Sequence, residues 1–202
     1  MRNFRNLSKN ENEELSRKFS FLLKYNEDCT AEDFSCASVT VFDHWLYESD
    51  SLSIITDATD DQIRAWNGII KRFLTQLVEL EKPIKYKYIG RNTKQKLQFS
   101  RFIGSDDLGL YVANLFDVVY ATNLVFVRLG VELWFEDNWT IHFKYKNQKD
   151  CLEMFELIAS LGLYILPAYS EDHLNNYETL SAYLRSQGLN KLLHRTANAA
   201  AE

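Results

Sequence analysis

The stretch Val131-Glu132-Leu133-Trp134-Phe135-Glu136-Asp137-Asn138-Trp139-Thr140-Ile141-His142-Phe143-Lys144-Tyr145 decides the fold. Val131, Leu133 and Phe135 alternate with Glu132, Trp134 and Glu136, and Asp137-Asn138 supplies a turn. Trp139, Ile141, Phe143 and Tyr145 then alternate with Thr140, His142 and Lys144. Side chains of a strand point alternately to opposite faces, so a period of two on both arms predicts an antiparallel hairpin with one apolar face. The charges between the apolar residues predict a second, solvated face.

Downstream, Asn147 opens a helix through Leu161, Gly162 ends it, and Leu163 to Leu166 forms a short strand before Pro167. Ser170 caps a last helix carrying Leu174, Tyr177, Leu180, Tyr183 and Leu184, which stops near Gly188. Upstream, residues 124–128 read as a short strand, and Ser105-Asp106-Asp107 starts a helix, its carboxylates suited to the positive end of the dipole. Residues 84–90 and 97–103 pair through a turn at Arg91-Asn92-Thr93. Thr59 and Gln62 have capping-box spacing and open a helix on Ile63, Trp66, Ile70, Phe73, Leu74 and Leu77, which must stop by Pro83. Residues 37–47 and 52–57 read as a strand pair joined at 48–51, and Ser8 with Glu11 caps a helix over residues 8–25.

Strand pairs separated by helices predict an α+β fold. The expectation is a single domain over residues 1–195, a mainly antiparallel sheet built from hairpins with about five amphipathic helices packed on it, and a frayed tail at 196–202. At 202 residues, 46% hydrophobic and 25% charged, the chain has the composition of a globular core and not of a disordered or collagen-like polymer. A formal net charge of −5 argues against a generally basic nucleic-acid binder. The Leu124–Val131 stretch is broken by Arg128 and is too short to span a bilayer. The first residues lack an apolar signal-like run, and Cys29, Cys36 and Cys151 match no zinc or disulfide spacing. Free thiols in a reducing, cytoplasmic setting and no membrane partner are the expectation.

Catalytic patterns fare poorly. Gly104-Ser105 with Asp106, Asp107 and Asp117 resembles part of a nucleotidyltransferase signature, but Val119 stands where its second strand carboxylate belongs. Glu132, Glu136 and Asp137 with Lys144 are loosely spaced for a metal-dependent nuclease. His44, His142, His173 and His194 include no pair within four residues of each other. No catalytic, cofactor or metal residue is assigned, which tips the reading away from an enzyme.

Charge distribution is more informative. Lys82, Lys85, Lys87, Arg91, Lys94, Lys96 and Arg101 form a basic stretch without an acidic residue, interleaved with Tyr86, Tyr88 and Phe99. The remainder of the chain holds 16 basic residues and all 28 acidic ones. The basic stretch suits single-stranded nucleic acid or an acidic protein, or merely protects a hairpin edge. Asp43, Glu48, Glu132, Glu136 and Asp137, with Trp45, Trp134 and Trp139 as anchors, suit docking onto the basic active site of a partner. The sequence therefore points to a non-enzymatic binding protein that occludes a partner's active site, in the manner of a toxin-neutralising immunity or antitoxin-type protein acting on a toxin or nuclease. A nucleic-acid-binding regulator using the 82–101 hairpin is the alternative, followed by a metal-dependent hydrolase or nucleotidyltransferase-like enzyme. A homodimer pairing the acidic with the basic face is a further assembly to test.

Overall fold

The computed structural model describes residues 4–23, 34–46, 49–91, 95–104, 123–135, 139–167 and 177–193. They form an α+β fold on one eight-stranded sheet of order β1-β4-β3-β5-β6-β7-β2-β8, antiparallel at every pairing. The strands are β1 (Phe4–Asn6), β2 (Ser35–Thr40), β3 (Ile84–Ile89), β4 (Lys96–Phe102), β5 (Leu124–Phe126), β6 (Val131–Phe135), β7 (Thr140–Tyr145) and β8 (Tyr164–Pro167). Five helices lie among the described residues: α1 (Lys9–Lys18), α2 (Ser49–Thr56), α3 (Asp60–Leu80), α4 (Leu152–Ser160) and α5 (Tyr177–Ser186).

The hairpin of β6 and β7 forms in the expected register, Leu133 opposite Phe143 and Trp134 opposite His142. Its apolar side joins the back core, where Ala37, Leu133 and Phe143 meet Phe73 and Leu77 of α3, Phe155 of α4 and Leu184 of α5. The other side is not solvated as its charges suggested. A second core covers part of this front face, built from Phe19, Phe21, Leu22 and Phe34 against Cys36, Phe99 and Val125. Glu132 is only 1% exposed and His142 only 9%. The polar half of the hairpin thus faces an interior that no local pattern announces.

Two further expectations are corrected. Residues 52–57 do not return as a strand beside 37–47: β2 ends at Thr40, and α2 occupies 49–56. Both edges of β2 are already taken, one by β7 and one by β8, so the sheet has no slot there. The helix over 8–25 stops at Lys18 and gives way to a 3-10 turn, Ser20–Leu23. That tighter winding brings Phe21 and Leu22 into the front core beside Phe19, leaving all three under 5% exposed.

Local signals succeed where they satisfy backbone groups. Thr59 accepts from the Gln62 N–H while Gln62 Oε1 accepts from the Thr59 N–H at 2.8 Å, the reciprocal box anticipated for α3. Thr59→Ala is therefore expected to lower stability by about 1 kcal/mol, read as a lower denaturant midpoint with unchanged slope. Gly162 has φ +72° after α4; its N–H donates to Ala159 O and that of Leu163 to Ile158 O, closing the carbonyl end in a Schellman pattern. α4 itself starts at Leu152 and not at Asn147, whose Oδ1 instead accepts from the Lys149 N–H in a preceding turn. The helix expected from Ser105 onward, and the Ser170 cap, lie outside the described residues.

Cys36 and Cys151 form no disulfide and are buried, 2% and 0% exposed. Burial, then the neighbouring Asp150 charge, pushes the Cys151 thiol well above its ordinary value of 9.0. Neither cysteine is expected to react with iodoacetamide at pH 8 while the chain is folded, and both should react on unfolding. Labelling of the folded protein at the denatured rate, detected by mass spectrometry, would overturn this. Because folding raises that pKa, the Cys151 contribution to stability is complete below pH 9 and declines as pH rises further.

Candidate functional site

The front face between β6 and β2 collects the chain's most unusual chemistry. Registers place Trp134 opposite His142 and His142 opposite Ser38, one row across three strands. Ser38 Oγ lies 2.7 Å from His142 Nδ1, which fixes the ring. The imidazole stacks against Trp134 at 5.0 Å between centroids (25° between planes) and against Trp45 at 6.4 Å (26°). Trp45 is held by its Nε1–H, which donates to Pro167 O at 2.9 Å at the end of β8. Ser38 is 0% exposed, so its hydroxyl cannot meet a substrate without displacement of the residues above it. The pair therefore orients an aromatic platform and does not present a nucleophile.

The adjoining row carries opposite charges. Glu132 faces Lys144 across β6 and β7, and Lys144 faces Cys36 of β2. The Glu132 carboxylate accepts hydrogen bonds from the Tyr86 hydroxyl and from Asn123 Nδ2 (2.7 Å), and Asn123 Nδ2 also reaches the Tyr86 oxygen at 2.9 Å. Burial, followed by the Glu132 charge and hydrogen bond, raises the Tyr86 pKa far beyond its usual range, so Tyr86 remains a donor. Lys144 Nζ sits 4.9 Å from the Trp134 ring centroid and 5.5 Å from that of Phe34.

The acidic residues expected to form one docking surface are distributed. Glu132 is internal, and Asp43 is 2.6 Å from His44 Nδ1. Glu48, Glu136 and Asp137 lie outside the described residues, as do His173, His194 and Cys29 and the nucleotidyltransferase-like segment 105–117. The tryptophans separate too. Trp139 has φ +58°, packs 4.7 Å from Trp66 of α3, and donates from Nε1 to Asn67 Oδ1 at 2.6 Å. It belongs to the back side, away from Trp45 and Trp134.

The basic stretch is likewise divided. Lys85 and Lys87 share the back face of β3; Lys85 Nζ is 3.1 Å from the Phe4 ring centroid, and burial, then the Lys87 charge, lowers its pKa. Arg101 points to the front and pairs with Glu11 at 3.0 Å. Lys82, Arg91 and Lys96 are exposed, and Lys94 lies outside the described residues. Among the described residues, no cluster of three His, Cys, Asp or Glu could hold a metal ion, and no helix is long and apolar enough to cross a membrane.

The chain matches no family model, no curated protein and no solved structure. Its function is therefore argued from the residues themselves. Ser38, Lys144 and Tyr86 join the site only through sheet pairing, and Asn123 through its side-chain contacts to Tyr86 of β3 and Glu132 of β6. The alternation of 140–145 shows that Lys144 and His142 share a face, but not what they meet.

Proposed function

We propose that the protein binds another protein and neutralises it by covering its active site, as a toxin-neutralising immunity or antitoxin-type protein does. The observation that carries this reading is the pair of half-buried indoles, Trp45 and Trp134, brought from distant parts of the sequence onto one fixed imidazole. Preorganised aromatic anchors carry disproportionate binding energy because little side-chain freedom remains to be lost on docking. Each anchor also stands in an acidic stretch of sequence: Asp43, Glu48 and Asp50 flank Trp45, and Glu136 and Asp137 follow Trp134. Acidic residues around an aromatic anchor favour fast, salt-sensitive association with a basic active site.

The test is capture of partners by the tagged protein from its native lysate, with and without nuclease treatment, repeated with Trp45→Ala and with Asp43→Lys/Glu136→Lys. A single stoichiometric protein retained after nuclease treatment, and bound at least tenfold more weakly by the variants, is the expected result. Asp43→Lys/Glu136→Lys guards against a Trp45→Ala variant that folds poorly. Partners lost on nuclease treatment would move the assignment to nucleic acid, and binding indifferent to every variant would remove these residues from the interface.

A further inference from the structure

We propose that the groove between α1 and the β3–β4 hairpin binds an extended acidic segment of a partner protein. This groove, about 740 Å³ in volume, lies over β3 and β4, away from the tryptophan platform over β6, β7 and β2. Its volume falls within the range of ligand-binding clefts, roughly 300–1,000 Å³. Leu7, Leu23, Ile89 and Leu97 give it an apolar lining, while Arg17 of α1 and Lys96 of β4 contribute cationic heads.

Charge selects the occupant. Among the described residues lining the groove, Glu13 is the only acidic one, and it is paired with Lys9 at 3.9 Å. Arg17 and Lys96 have no carboxylate partner among the described residues, although the chain as a whole is acidic. Two unpaired cations bordering an apolar cleft complement a ligand that alternates carboxylates with apolar side chains.

Beside the groove, the outer edge of β4 is already capped. β1 pairs with β4 only from Phe102 to Ser100, and the Leu7 N–H then donates to Phe99 O at 3.1 Å. Asn12 of α1 takes over from there: its Nδ2 donates to Leu97 O at 2.8 Å and its Oδ1 accepts from the Phe99 N–H at 2.7 Å. A side-chain amide thus stands where the next peptide of β1 would lie. It holds α1 against β4 and leaves the Lys96–Leu97 edge with no strand beside it among the described residues. An extended segment, whose successive side chains point to opposite sides, can set apolar side chains against Leu7, Leu23 and Ile89 and its carboxylates near Arg17 and Lys96.

The probe is a fluorescein-labelled octapeptide of alternating Asp and Leu, compared by anisotropy with one of alternating Lys and Leu. The acidic peptide should bind and the basic one should not. Arg17→Glu/Lys96→Glu should weaken binding at least tenfold, with raised salt acting in the same direction. Both substitutions are at exposed positions, and an unchanged circular dichroism spectrum would establish that the fold survives. Trp45→Ala should leave peptide affinity unchanged, which separates this groove from the tryptophan platform. Failure of the acidic peptide to bind, equal binding of both peptides, or affinity unaffected by charge reversal would overturn the proposal.

Discussion

Phe143→Ala is expected to lower the free energy of unfolding by about 3–5 kcal/mol, among the largest effects available to one substitution in this chain. The ring is 0% exposed, near the centre of β7, with centroids 5.5 Å from Tyr145 and 6.1 Å from Phe155 of α4. Its loss removes apolar contacts and leaves a cavity between sheet and helices that interlocked neighbours cannot readily refill. Phe143→Leu retains most of the volume and should cost markedly less. Urea titrations of both variants provide the test. A Phe143→Ala penalty below about 1 kcal/mol would contradict the packing described for the back core.

Glu132→Ala should cost about 2–4 kcal/mol, for a polar reason. The carboxylate is the acceptor for both Tyr86 and Asn123, in a place water scarcely reaches. Removing it leaves donors without that acceptor and opens space beneath the front core. Glu132→Gln retains one acceptor oxygen and should be much milder. Glu132→Leu combined with Tyr86→Phe should recover part of the loss, because it withdraws one donor along with the acceptor. If the double variant were as unstable as the sum of its single substitutions, the two residues would not be energetically coupled.

Elements whose side chains encode a period are legible in the sequence. The 131–145 hairpin and the helix following Thr59 are examples, because alternation or capping residues specify them locally. Gly162 and Gly188 marked helix ends because positive φ favours glycine. Residues 52–57 misled because Ile54 and Ile55 favour strands, while the occupied edges of β2 decide against another partner. The site was far less legible. The alternation around Glu132 points it to solvent, and only the N-terminal segment covering part of the front face gives it an interior. The stacking of Trp45 on His142 likewise depends on where β2 enters the sheet.

That entry point has a consequence for how the chain is made. β2 lies between β7 and β8, and Ser38 reaches His142 across 104 positions of sequence. At the far edge, Asn6 reaches Ser100 across 94. A ribosome adding roughly 5–20 residues per second therefore releases both N-terminal strands seconds before their sheet neighbours exist. During that interval Ser35–Thr40 is an unpaired strand-forming segment, exposed to whatever else can pair with it. Its protection before synthesis passes Tyr145 must come from delay in leaving the exit tunnel, from chaperones, or from temporary contacts that the finished sheet replaces.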